Sequence, residues 1–383
     1  MKSYNASDLK DLNREIVYRL LEKKKEIFRA EIARLTGIST PTVLKIISYF
    51  LELGLVSEEG ECKPSLGRKP QMLRFNADAR FSIGVEYEGD FLKVGIVNLE
   101  GDLKTSKQKR VSGHFTEVMQ KECIPLIKGI VDSSGISWEK IMGVGIGVPA
   151  IVDIKNNIVS AAPLVGILHD VDCKPILQEL KNQLGLDAFI ENDANAGALG
   201  EFTIRKLTDA SDLVYISLGT GLGAGVVLQG KLRRGVWNSS GEIGYMVYDK
   251  NFITSTERSG WLESQVNAHA LTKRWPFFSQ LFEGESWKKF ETTSDFHLLI
   301  DHVAGNLALC IANIYSILDV DVVVLGGISV KLLGPLLIES INRYLSRLNS
   351  RNITCQLQKS PEPSVVGAAT IAIKEKLKEI FSG

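Results

Sequence analysis

The stretch "SLGTGLGAGVVLQG" (217–230) decides the fold. A β-type run, "LVYIS" (213–217), leads into it, and glycines follow at 219, 221, 223 and 225 around Thr220. Backbone this bare after a strand can wrap a phosphate with its own N–H groups. The same glycines can instead serve a tight hairpin and close packing of a neighbouring element. An echo lies upstream, where "FSIGVEY" (81–87) and "FLKVGIVNL" (91–99) form another glycine-bearing strand pair. Two similar lobes around a cleft would produce such an echo. Further strand patterns are "IMGVGIGV" (141–148), "AFIEND" (188–193) and "DVVVLGG" (321–327). Amphipathic helical patterns lie between them, for example at 116–133 and 298–318, so the body reads as α/β.

The chain has 383 residues, enough for two or three domains, and is 44% hydrophobic and 23% charged, ordinary globular values. Its formal net charge is zero, which excludes a global field as the means of choosing a partner. The charge is unevenly placed. Residues 1–80 hold 15 Lys+Arg against 11 Asp+Glu, a net of +4 on a body of −4. That fits a basic N-terminal module on an acidic body. The cysteines at 62, 123, 173, 310 and 355 make no CxxC pair, so a disulfide framework is not expected and a reducing cytoplasm is. No apolar signal core and no run of 18 apolar residues occurs, and no membrane span is expected.

The N-terminal module reads as a helix–turn–helix. In "FRAEIARLTGISTPTVLKIISYFLELGLVSEEG" (28–60), Ile32 and Leu35 share one face of a short helix and Gly37 suits the turn. Ser39 or Thr40 can cap the next helix, with Pro41 near its first position. Val43/Leu44, Ile47 and Phe50/Leu51 form the expected inward stripe, and Thr42, Lys45 and Tyr49 the opposite face. Such a second helix enters the major groove, so Ser39, Thr40, Thr42, Lys45 and Tyr49 are the expected DNA contacts. A hairpin follows, and Arg68 and Lys69 at its tip would meet phosphates or the minor groove as a wing.

Four motifs then occur in order: "GVGIGVPAIVD" (143–153), "IENDANAGALGE" (190–201), "SLGTGLGAGVVLQGKLRRG" (217–235) and "SSGEIGYM" (239–246). Together they resemble the ROK family of repressors, open reading frames and sugar kinases. The winged helix places the chain nearer the repressor branch, similar to the xylose and N-acetylglucosamine repressors. The resemblance implies a two-lobed actin-like fold of the sugar kinase/ribonuclease H-like kind behind the winged helix–turn–helix. It also implies a monosaccharide at the base of the cleft and a homodimer or homotetramer bound to operator DNA. Expected divisions are 1–75 for the DNA-binding domain with its linker, 80–192 plus 367–383 for the first lobe, and 193–366 for the second.

Residue chemistry supports a sugar site independently. Asn192 and Asp193 follow the strand "AFI" at its carboxyl end, where α/β folds place ligands. An amide beside a carboxylate can hold adjacent hydroxyls, and Glu242 and Glu263 add further acceptors. The resemblance assigns all four to sugar hydroxyls and makes Asp193 the catalytic base of the kinases.

Two departures from the family pattern bear on function. Its zinc ligands are the histidine of a "GEIGH" run and three cysteines. Here those positions hold Tyr245, Thr254, Thr256 and Trp261, so no metal is expected. The Tyr245 phenol can still meet a sugar, and Trp261 can hold the loop by packing. The first phosphate loop of the kinases reads Asp-x-Gly-Gly-Thr, whereas "GVEYEGD" supplies Glu86, Tyr87, Glu88, Gly89 and Asp90. Two unit negative charges about 5 Å apart at an effective dielectric of 20 repel by roughly 3 kcal/mol. Gly219, Thr220, Gly221 and Gly223 are then a vestigial phosphate loop, and no cofactor is expected. The sequence reads as a sugar-responsive repressor. An ATP- and Mg-dependent sugar kinase with a fused DNA-binding module is the alternative, with Glu86 taking over the metal role.

Overall fold

Two five-stranded sheets with the same topology carry the body. The computed structural model describes residues 6–59, 71–88, 90–160, 162, 167–253, 260–320, 322–348 and 353–383. The first sheet comprises Phe81–Glu88, Phe91–Asn98, Leu103–Arg110, Ile141–Val148 and Asp187–Asn192. The second comprises Leu213–Leu218, Leu222–Leu228, Lys231–Leu232, Val322–Gly326 and Cys355–Leu357. Numbered along the chain within each sheet, the strands lie in the order 3-2-1-4-5 in both. In both, the first three are antiparallel neighbours and the last two join in parallel. The glycine-bearing pairs seen in the sequence are the opening hairpins of the two repeats.

Burial explains which strands the sequence displays. Phe81–Glu88 is buried along seven of its eight residues, because both faces of the sheet are covered, and its apolar residues are interrupted only by Ser82, Glu86 and Glu88. Leu103–Arg110, "LKTSKQKR", is largely exposed at the edge, where lysines discourage pairing with another chain. It carries no apolar pattern and was not expected from the sequence. The helix expected over 116–133 is broken into Phe115–Val118 and Ile124–Ser134 by a wide turn at Met119–Cys123. Pro125, in the first turn of the second piece, has no N–H to continue a regular ladder.

Ser294–Leu318 is capped by the Thr293 side chain, which accepts a hydrogen bond from the Phe296 N–H. By length and composition this helix could cross a membrane. One face of it is committed to the second lobe's core, where Phe296, Leu299, Val303, Leu307 and Ile311 are buried.

Two helices join the lobes, and glycine lets them touch. Asp193–Ile204 lies against the second sheet, where a Cβ at Gly225 would stand 2.3 Å from the Ala194 carbonyl oxygen. Pro363–Ser382 lies on the first sheet, where a Cβ at Gly145 would stand 1.8 Å from the Ala368 carbonyl oxygen. The helices also meet each other. A Cβ at Gly200 would fall 1.9 Å from the Pro363 carbonyl oxygen, and one at Gly367 1.7 Å from that of Ala196. The expected division at 366/367 falls inside the continuous helix Pro363–Ser382.

The N-terminal module consists of helices Ala6–Lys24, Arg29–Thr36 and Thr40–Glu52 with a small antiparallel sheet. Met72–Phe75 is the middle strand, between Glu26–Phe28 and Val56–Glu59. Gly37 makes the turn at φ +70, and its N–H bonds to the Ala33 carbonyl. The inward stripe of Thr40–Glu52 is Val43, Ile46, Ile47 and Phe50. Leu44 and Leu35, expected inside, are 44% and 45% exposed, because each falls just off the arc that faces the core. Ile373, Leu377 and Phe381 of Pro363–Ser382 enter this core.

Candidate functional site

The cleft is built at the junction of strand Asp187–Asn192 and helix Asp193–Ile204. Asn192 caps that helix: its side-chain oxygen accepts from the Asn195 N–H at 2.9 Å, and its amide donates to the Ala150 carbonyl at 3.1 Å. Each half of the amide still has one hydrogen-bonding position to offer. Asp193 is half-buried in the first turn, and its Oδ1 accepts from the Ala194 N–H at 2.7 Å. Its carboxyl is pushed up to about 8 by burial first and then by the charges of Glu86, Glu88 and Glu242.

Glu242 and Glu263 belong to the same group. Burial and then the Glu263 charge raise Glu242 above the usual carboxylate range. Burial raises Glu263 as well, against the pull of the Leu222 and Gly260 N–H groups. Glu263 Oε1 accepts from the Leu222 N–H at 3.2 Å, which ties helix Trp261–Val266 to the end of the "SLGTGL" hairpin. Tyr245 closes a short 3-10 turn beginning at Ile243 and is 53% exposed. Trp261 packs edge-on against Tyr248 with ring centroids 5.3 Å apart. Thr254 and Thr256 lie outside the described residues. The Glu242 charge acts on Asp193 and the Glu263 charge on Glu242, so the three carboxyls form one group beside the Asn192 amide.

The facing side of the cleft is filled by the chain itself. Lys93 Nζ lies 2.8 Å from Glu86 Oε2 and 3.3 Å from Glu88 Oε2. Burial would lower this ammonium, but the two carboxylates outweigh it and hold it above its ordinary value. Glu88 is raised by burial and by Glu86, with Lys93 and Lys331 opposing. Its Oε1 reaches across to the other lobe, where it would stand 2.9 Å from a Cβ placed on Gly219. Lys331 donates to the Pro361 carbonyl at 2.8 Å. Acid thus faces the "GTG" backbone from close range, and both lysines there already have partners. Phosphoryl transfer depends on positioning and charge neutralisation, and here the groups facing the loop are carboxylates and already-paired lysines.

Within the 217–230 stretch, packing demands glycine most clearly at Gly225, where a Cβ would meet the Ala194 carbonyl. None of Gly219, Gly221, Gly223 and Gly225 has a positive φ. The strands Leu213–Leu218 and Leu222–Leu228 pair as a hairpin in full register from Leu213↔Val227 to Leu218↔Leu222. Gly223 and Gly225 face Ala194, and the buried Ser329 hydroxyl holds the Gly219 carbonyl at 3.0 Å. Thr220 sits exposed at the tip.

Sequence reasoning missed Lys93, although the hairpin register placed it opposite Glu86. It also missed Glu191 and Arg234. The buried Glu191 accepts from the Asn192 N–H and from the Asn195 amide through one oxygen, and from Arg234 through the other at 2.7 Å. That pair straps the "KLRRG" loop of the second lobe to the strand that carries Asn192. No local pattern could have linked residues so far apart in the chain.

On the N-terminal module, Ser39, Thr40 and Lys45 are exposed and Thr42 half-exposed at the start of Thr40–Glu52. Ser39 holds the cap position without a side-chain cap bond, and its hydroxyl lies 2.8 Å from that of Thr42. Tyr49 corrects the expectation. Its hydroxyl donates to the Ile380 carbonyl at 2.9 Å and the Arg14 guanidinium lies 4.0 Å from its ring centroid, so it faces the last helix. Arg68 and Lys69 lie outside the described residues.

Comparison with known proteins supports this layout. The chain is 27% identical to the xylose repressor of Caldicellulosiruptor bescii, over 97% of its own length and 98% of that relative's. It is 31% identical to the xylose repressor of Bacillus subtilis over 63% of the chain and 62% of the relative, and 28% identical to the glucokinase of Thermotoga maritima over 77% and 98%. The fold matches a ROK family transcriptional regulator homologous to the MLC protein of E. coli, with a TM-score of 0.76, 20% identity and 98% of both chains covered. It also matches a ROK family glucokinase from Streptomyces griseus in complex with glucose and AMPPNP, with a TM-score of 0.63 and 23% identity, over 77% of this chain and 99% of that one. The sequence profile of the family itself spans residues 82–375, and the chain belongs to the ROK family.

Proposed function

We propose that the chain is a sugar-responsive transcriptional regulator, a repressor, whose effector is a monosaccharide held by Asn192, Asp193, Glu242 and Glu263. The observation that carries this reading is the Glu86–Lys93–Glu88 cluster, which closes the nucleotide side of a sugar-kinase cleft that stands behind a helix–turn–helix. The cleft keeps the means to recognise hydroxyls and has lost the means to neutralise a triphosphate. D-xylose is the first sugar to test, since near full-length relatives are named xylose repressors. The protein acts in the cytoplasm as a homodimer. Two copies of Thr40–Glu52 would read half-sites of a roughly two-fold operator through Ser39, Thr40, Thr42 and Lys45. Neither zinc nor nucleotide takes part.

The test is retardation of fragmented genomic DNA by the protein, with and without a panel of monosaccharides. A fragment whose retardation changes with one sugar is expected, and no retarded fragment under any condition would sink the reading. A kinase reading draws on Asp193, placed at a helix start and able in principle to take a hydroxyl proton. Sugar-dependent ADP release separates the two. Turnover above roughly 1 s⁻¹ would favour the kinase.

A further inference from the structure

The helix Pro363–Ser382 begins at the cleft and ends on the DNA-reading helix. We propose that it transmits the state of the cleft to the N-terminal module, with Tyr49 as the positioning residue at the junction. This inference rests on the regulator reading above.

At its start the helix is locked to the sugar side. The Ser364 hydroxyl donates to the Asp193 carbonyl at 3.1 Å. The Gly200 and Gly367 contacts bring its backbone against that of Asp193–Ile204 with no side chain between them. Close-packed contacts of this kind transmit displacement, because they leave no slack to absorb it. A shift of Asp193–Ile204 on sugar binding therefore moves Pro363–Ser382. Its 20 residues span about 30 Å, a rigid reach from cleft to module.

At its far end the helix is gripped by the module. The last carbonyls of a helix have no partners within it. The Ile380 carbonyl accepts from the Tyr49 hydroxyl, and the Phe381 carbonyl accepts from Arg14 at 2.9 Å. Tyr49 stands on the helix whose first turn carries Thr40 and Thr42, so a movement at Ile380 re-aims those side chains. Tyr18 is 3% exposed between Phe50, Phe75 and Phe381, and its hydroxyl has no hydrogen-bond partner among the described residues. A buried hydroxyl left so favours any rearrangement that gives it a partner.

The test uses the full chain and its Tyr49→Phe and Arg14→Gln variants. Operator affinity is measured with and without whichever of D-xylose, D-glucose and N-acetylglucosamine most alters the wild type. Each variant is expected to keep sugar binding and to lose about fivefold of the sugar's effect on operator affinity, the loss of about one hydrogen bond. Wild-type coupling in both variants would overturn the proposal. So would loss of sugar-free operator binding in a folded Tyr49→Phe protein, which would make the hydroxyl a DNA contact. A wild type that binds no operator, or ignores all three sugars, fails the regulator reading first and is distinguishable from these outcomes.

Discussion

Single residues set the chemistry of this cleft through proximity of like charge. Burial and the nearby carboxylates push the Asp193 carboxyl up to about 8, far above a free aspartate, so the folded state holds its proton more tightly than the unfolded chain does. A raised carboxyl contributes stability that is present below its unfolded value and lost as pH climbs through the folded one. Asp193→Asn is therefore expected to raise the melting temperature by a few degrees at pH 8.5 and to have little effect at pH 4. An equal effect at both values would contradict the cause given. Asparagine still accepts the Ala194 N–H, so the helix start is preserved. Lys93 is the converse case. Removing it leaves Glu86 and Glu88 facing each other in a poorly solvated site. Lys93→Met is expected to cost about 2–4 kcal/mol in urea unfolding. A cost below about 0.5 kcal/mol would mean that the cluster is solvated. The hairpin "EYEGDFLK" disclosed this arrangement in principle. Glu86 and Glu88 are two apart and so share a face, and pairing Glu88 with Phe91 sets Lys93 opposite Glu86. The interlobe approach of Glu88 to Gly219 was not legible, since it depends on how two sheets meet.

At the scale of elements, glycine placement explains more than strand or helix propensity does. The motifs "GVGIGV" and "ANAGALG" stand out in the sequence by their small residues, as does "VVGAAT" near the end of the chain. In the structure Gly145, Gly200 and Gly367 admit helices to within backbone contact of sheet and helix. Gly367→Ala would set a Cβ against the Ala196 carbonyl and force the interlobe helices apart. The expected cost is about 3 kcal/mol or more in urea unfolding. A variant within about 1 kcal/mol of wild type would show that the crossing can relax. Seven of the ten sheet strands carried an apolar or glycine-punctuated pattern and were legible. Leu103–Arg110 was not, because an exposed edge strand is written in lysine and polar residues. Lys231–Leu232 and Cys355–Leu357 are two and three residues long, too short for periodicity to register. The recognition helix was legible from the turn glycine, the proline and the apolar stripe. The orientation of Tyr49 was not, because its partner lies 331 residues away.

Across the whole molecule, one chain joins a sugar-kinase body to a DNA-reading head, and the junction shares a core. The net charge of zero offers no general attraction to DNA, so affinity has to come from local contacts to phosphates and bases. Operator binding is accordingly expected to weaken with salt, the more so the more phosphates each head meets. The central claim is that sugar in the cleft alters the grip on DNA. The most direct measurement is the dissociation constant for the operator, by fluorescence anisotropy at one fixed salt concentration, with and without a saturating sugar shown to bind. The account predicts a change of at least about tenfold, within the usual range for coupling between two sites. The same dissociation constant with and without bound sugar would contradict it.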